Sequence, residues 1–196
     1  YQKGEGVQQN YKTAVKWYTL SAEQGDSDAQ YNLGWMYDRG NAPQDFKSAL
    51  KWYTLAAEQG ESDAQNNLGL LYLRGQGTPK DYKNAVKWIT LASEQEDYDA
   101  QTTLGYMYEN GFGVLQDYKI AVKWYRNSAE NGMINSQFNL GLMYENGKGV
   151  IQDNIYAHMW FNITASQGDE EGAESRDSMA KKMTSSEIAE AQKLAR

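Results

Sequence analysis

The chain contains no cysteine, one histidine (His158) and two prolines in 196 residues. Without cysteine there are no disulfides, no thiolate nucleophile and no cysteine-based zinc site, and the redox compartment is left open. A lone histidine builds no His-rich metal centre. No apolar run approaches the ~18 residues that suggest a membrane span. No secretory signal pattern is visible, so cytoplasm, periplasm and exterior all stay open. Cations are outnumbered, 19 Lys and Arg against 26 Asp and Glu, for a formal net charge of −7. Phosphate backbones repel such a chain unless its cations gather on one face, which disfavours nucleic acid as a partner. Few prolines beside 18 glycines suggest helices punctuated by glycine. Six Trp and 15 Tyr leave much of the burial to aromatics, at a mean hydropathy of −0.80.

What the chain does have is a repeat. Trp17, Trp52, Trp88, Trp124 and Trp160 stand 35, 36, 36 and 36 residues apart. Leu33-Gly34, Leu68-Gly69, Leu104-Gly105 and Leu140-Gly141 keep that spacing, as do Tyr37, Tyr72, Tyr108 and Tyr144. Each copy reads as two helices. In the first, helix A, Ala29, Leu33 and Tyr37 form one buried stripe, and Gly40, Gly75, Gly111 and Gly147 close it. Helix B starts after Asp45, Asp81, Asp117 or Asp153, each a suitable N-cap. Ala49, Trp52, Tyr53 and Ala56 share its inner face. Gly25, Gly60, Gly132 and Gly168 end it, but Glu96 takes that slot in one copy, where the turn must differ or carry strain.

Two short helices cannot bury their apolar faces alone, whereas stacked copies can. The spacing predicts an all-α, right-handed α/α superhelix, a solenoid of about eleven helices. Its parts are a partial repeat at 1–25, full repeats at 26–60, 61–96, 97–132 and 133–168, and a C-terminal cap at 169–196. Tyr1-Gln-Lys-Gly-Glu-Gly-Val7 matches Tyr108-Glu-Asn-Gly-Phe-Gly-Val114, so the chain reads as a fragment opening at the end of a helix A. Residues 172–182 read as a degenerate helix A. Thr184-Ser-Ser-Glu187 is a capping box for a last helix through Arg196.

The pattern of Asp97–Gly132, with its Leu-Gly, Tyr, Gly-x-Gly-Val, Asp-Tyr, Trp-Tyr and Ala-Glu-x-Gly positions, resembles the Sel1-like repeat, a relative of the tetratricopeptide repeat. The resemblance covers Asp26–Gly168 plus half a copy before it. The end of the chain, Tyr156–Asn162 and Met183–Ala195, is similar to C-terminal ends of bacterial members. The resemblance implies a scaffold that binds other proteins. Secreted members staple each copy with a disulfide, and this chain lacks those cysteines. The linker Gly40–Asp45 is one residue shorter than the others, which predicts a local irregularity there.

In the tetratricopeptide arrangement helix A lines the concave face. The residues opposite its buried stripe are therefore the expected binding surface for a protein or peptide. In the first full repeat they are Tyr31, Trp35, Asp38 and Arg39, with Asn66, Leu70 and Arg74 in the second. The third contributes Thr102, Tyr106, Glu109 and Asn110, and the fourth Phe138, Leu142, Glu145 and Asn146. Apolar rows rimmed by polar groups mark interaction sites or pack between neighbouring helices. The acid edge favours a partner carrying Lys or Arg.

Helix B carries Lys12/Lys16, Lys47/Lys51, Lys83/Lys87 and Lys119/Lys123 on an outward face, continued by Glu23, Glu58, Glu94 and Glu130. A solvated face with lateral Lys–Glu pairs is the expectation, and a strip for anionic lipid or nucleic acid the alternative. Lysine at a helix start opposes the helix dipole. In the last copy Ile155 and Met159 fill the lysine slots, which predicts cover by the C-terminal helices or by a second protomer.

No catalytic constellation is visible and no cofactor is implied. Ser48–Lys51 and Ser178–Lys181 have the S-x-x-K spacing of β-lactam-binding serine enzymes but lack their companion motifs. His158 is expected at the surface or partly packed, with no partner for a metal. The Gly-x-Gly connectors lack the lysine of a phosphate loop. The sequon Asn162-Ile-Thr164 falls inside a helix. The sequence thus reads as a protein-binding scaffold and not an enzyme. A structural spacer between domains is the first alternative, and a β-lactam or cell-wall hydrolase the second.

Overall fold

A computed structural model describes residues 10–40 and 44–195, and in them the chain folds into eleven α-helices. The opening segment that matches the end of a helix A, and most of the short linker after Gly40, lie outside the described residues. The helices group into two compact units, Tyr1–Asp97 and Tyr98–Arg196. The first holds α1 (Tyr11–Ala22), α2 (Ser27–Asp38), α3 (Phe46–Glu58), α4 (Ser62–Arg74) and α5 (Tyr82–Glu94). The second holds α6 (Tyr98–Asn110), α7 (Tyr118–Glu130), α8 (Ile134–Asn146), α9 (Asn154–Ser166), α10 (Glu170–Ala180) and α11 (Ser185–Leu194). Among the described residues there is no strand, so the all-α repeat fold expected from the spacing is the one found.

Helix B starts where its aspartates dictate. Asp45, Asp81, Asp117 and Asp153 each accept from two backbone N–H groups of the first turn, satisfying donors the helix leaves orphaned. The Asp45 carboxyl is held below the ordinary carboxylate range by the Ser48 hydroxyl and then by these backbone bonds, and that of Asp81 by the backbone and side-chain N–H groups of Asn84.

Packing within a repeat rests on one device. The helix A glycine of the Leu-Gly pair sits under the residue that follows tryptophan on helix B. A Cβ on Gly34 would lie 2.7 Å from the Tyr53 ring, and one on Gly105 the same distance from Tyr125. On Gly141 it would meet Phe161 at 2.6 Å, and on Gly69 it would strike Ile89. The residues so seated, Tyr53, Ile89, Tyr125 and Phe161, are fully buried.

A second device joins successive repeats inside each unit. In the first, Gln30 donates to the Ala22 carbonyl at 3.0 Å and accepts from Gln59 at 2.8 Å. Gln65 does the same with Ala57 and Gln95. In the second, Gln137 donates to Ala129 and accepts from Gln167 at 2.7 Å. Buried amides thus close the carbonyl ends of helix B, and their full satisfaction makes them tolerable in the core. In α7 the last glutamine is replaced by Asn131, one methylene shorter. Asn127, a turn earlier, makes the reach instead, donating to Gln101 at 2.8 Å.

The C-terminal segment is a cap. Thr184 and Glu187 form the expected capping box, and α10 and α11 both pack on α9. Met159 is buried and Ile155 half-buried, so the chain itself covers the two apolar residues that fill the lysine slots. The same cover corrects the expectation for His158. This residue is 2 % exposed, not at the surface, because the outward face of α9 is the seat of the cap.

Candidate protein-binding surface

The helix A residues opposite the buried stripe divide into those the fold consumes and those it presents. In the first unit Tyr31 packs on Tyr53 with ring centroids 6.0 Å apart. Its hydroxyl pKa is raised by burial and by the nearby Asp63 and Glu61 carboxylates. Trp35 and Tyr31 are half-buried against the core built on Ala49, Tyr53 and Leu68. Asp38 lies beside Tyr53 and 3.7 Å from the Arg39 guanidinium. Asn66 is buried, with its Oδ1 unpartnered. Leu70 is half-buried, while Arg39 and Arg74 are exposed.

In the second unit Thr102 is taken up by hydrogen bonds to the Tyr98 carbonyl and to the Ser128 and Ser136 hydroxyls. Phe138 packs on Phe161 with centroids 5.5 Å apart. Leu142 lies against the core of Ala157, Phe161 and Met179. Tyr106 is 45 % exposed, and its ring is held by Phe112 at 5.6 Å. Asn110 and Asn146 are exposed, each donating one amide N–H to the carbonyl four residues back. Phe112 has no counterpart among the predicted residues. Its signal was the residue between the connector glycines, Gln76 or Lys148 in sister repeats.

The acids follow a rule visible across repeats. Where helix B supplies a buried tyrosine, helix A supplies a carboxylate near its end. Tyr125 donates to Glu109 at 3.0 Å, whereas the Tyr53 hydroxyl has the Asp38 carboxylate nearby but no hydrogen-bond partner. Where helix B supplies Ile89, the helix A slot is Leu73. Where it supplies Phe161, the freed Glu145 pairs with Lys182 at 3.0 Å. Glu109 also lies 3.6 Å from Lys148. The acid edge is therefore partly spent within the fold, while Tyr106, Asn110, Asn146, Arg39 and Arg74 stay exposed.

The outer face of helix B differs from expectation in one respect. All eight stripe lysines are exposed, but among the described residues none forms an ion pair with the glutamates further along. Instead the second lysine of each pair lies over the neighbouring tryptophan. Lys51 is 4.5 Å from the Trp52 ring centre, Lys87 is 4.7 Å from Trp88, and Lys16 and Lys123 are about 6 Å from theirs. A cation over an indole face gains from the ring quadrupole with no carboxylate needed.

The Ser48–Lys51 pair is engaged within its own helix and cap. The Ser48 hydroxyl is bonded to Asp45 at 2.7 Å, and Lys51 stands over Trp52. Among the described residues no group of His, Asp and Glu is arranged to hold a metal. Thr164 of the sequon is fully buried with its hydroxyl on the Phe161 carbonyl. No helix in the described residues is long and apolar enough to cross a membrane.

Comparison with known proteins follows the same lines. The family model described as Sel1 repeat matches residues 1–26, 27–61, 62–97, 99–133 and 134–169. The chain is similar to the crystal structure of c5321, a protective antigen of uropathogenic Escherichia coli strains displaying an SLR fold. Identity is 36% over 99% of this chain and 42% of that one, with a TM-score of 0.94. A Sel1 repeat protein from Oxalobacter formigenes is 38% identical over 86% of this chain and 70% of that one, at a TM-score of 0.80. A stretch of 37 residues is 54% identical to a putative sel1-like repeat-containing protein of Acanthamoeba polyphaga mimivirus. That stretch is 19% of this chain and 7% of the viral protein, so the chain spans a small part of that relative and less than half of c5321.

Proposed function

The chain belongs to the Sel1 repeat family, and from that premise we propose that it is a protein-interaction scaffold whose helix A faces dock a segment of a partner. Tyr106 carries this reading. It is a large aromatic, nearly half exposed, on a helix whose opposite side is fully buried. Its ring is fixed by Phe112, so little side-chain freedom is lost on binding. Rigid aromatics on preformed surfaces dominate binding energy. Half-buried Leu142 and exposed Asn110 and Asn146 complete the face in this unit. Trp35, Leu70, Arg39 and Arg74 offer a similar set in the first. Because Glu109 and Glu145 already have cationic neighbours, the favoured partner segment is apolar with free backbone amides, more than a basic one.

The test is affinity capture with the intact protein, followed by the Tyr106→Ala variant. Loss of about tenfold or more in affinity with unchanged far-UV circular dichroism supports the reading, a tenfold loss being roughly 1.4 kcal/mol. Undiminished binding of the captured protein by Tyr106→Ala and Trp35→Ala alike refutes it.

A further inference from the structure

We propose a second docking surface, on the outer side of the second unit, for an acidic and partly apolar segment of another protein. A recess of about 560 Å³ lies between α7 and the connector after α8. Lys119, Lys123 and Arg126 line it together with Asn127 and one carboxylate, Glu130, beside apolar Val122, Trp124 and Val150. The size is that of a site for a few side chains.

Three observations converge on it. First, its cations outnumber its acids: three line it against Glu130 alone, and among the described residues none of the three forms an ion pair, in a chain whose net charge is −7. Arg126 is oriented by a neutral group instead, donating to the Tyr144 hydroxyl at 2.8 Å. Second, the wall is preformed. The connector backbone at Gly149 sits so close to the Tyr118 carbonyl that a Cβ there would clash. Third, the repeat supplies its own control. The slot of Arg126 is threonine in three sister helices (Thr19, Thr54 and Thr90) and asparagine in the fourth (Asn162), while the tyrosine it bonds recurs in every full repeat as Tyr37, Tyr72, Tyr108 and Tyr144. Packing therefore does not require the arginine. The neighbouring departure, Asn127, is explained by its bond to buried Gln101, whereas the Arg126 guanidinium bonds a tyrosine that sister repeats keep without an arginine.

The occupant follows from the chemistry. A planar guanidinium and two ammonium groups pair with carboxylates, and the apolar lining accepts an aliphatic or aromatic side chain between them. A phosphate backbone or a flat anionic membrane would use the cations but leave the apolar lining of Val122, Trp124 and Val150 unfilled.

The test uses the whole chain and a short synthetic peptide alternating glutamate and leucine, followed by calorimetric titration. Binding that weakens as salt rises is expected. Arg126→Thr, the residue native to three sister slots, should lower affinity about tenfold, and Lys123→Gln should lower it as well. Lys51→Gln in α3 should leave it unchanged. Equal affinity of Arg126→Thr and the native protein overturns the proposal. So does salt-independent binding, or tighter binding of a single-stranded oligonucleotide or of phosphatidylserine vesicles than of the peptide.

Discussion

At the scale of single residues, Glu96 holds a conformation that L side chains avoid. Its φ is +63°, in the slot where four sister turns have glycine. Its turn keeps the same bonds: Glu96 N–H to Ser93 and Asp97 N–H to Ala92, at 3.3 and 3.2 Å. The sequence posed a choice between an altered turn and a strained one, and the strained one is found. Replacing Glu96 with glycine should therefore stabilise the protein by roughly 1 kcal/mol, read as a higher denaturant midpoint at unchanged slope. Gly105 is the opposite case. Its missing side chain is the seat of the Tyr125 ring, which Glu109 pins by its hydroxyl. Gly105→Ala should cost about 1–3 kcal/mol by overpacking, despite alanine's better helix propensity. A neutral or stabilising result in chemical unfolding would contradict the close-approach account.

At the scale of helices, the packing of α9 under its cap makes stability depend on pH. His158 is buried, its Nδ1 has no partner, and burial holds its pKa below the ordinary 6.5. Arg176 on α10 pushes in the same direction, and Asp177 opposes it. The unfolded chain then binds the proton more readily than the folded one. The stabilising contribution is complete above about pH 6.5 and is lost as pH falls from there toward the folded-state value. Melting temperatures should drop as pH falls below about 6.5 in the native protein and drop less in His158→Gln. Parallel curves for the two would rule out this origin. The same helices show why some readings from sequence fell short. Spacing was enough to place the helix starts, the Leu-Gly contacts and the capping box, because those depend on the local chain. The wheel gives direction about a helix's own axis, not what stands opposite. Asn66 and Thr102 point away from the stripe through Leu68 and Leu104, yet the fold buries the first and binds the second to Ser128 and Ser136. The glutamine ladder was written in the recurring Ala-Gln pairs, but which carbonyls they close is decided between repeats.

At the scale of the molecule, a strongly acidic chain keeps much of its cationic charge on the outer faces of helix B, with lysines seated over tryptophans. On the helix A faces Tyr106, Asn110 and Asn146 are exposed beside Arg39 and Arg74. The partners proposed for the two surfaces differ in chemistry, an apolar segment for one and an acidic one for the other, and fold alone does not decide between them. The most direct measurement is site-specific photocrosslinking of a captured partner from two positions. A crosslinker at Tyr106, on the helix A face, should label the partner, and one at Glu58, on the outer face of α3, should not. Labelling from Glu58 with none from Tyr106 would contradict the account.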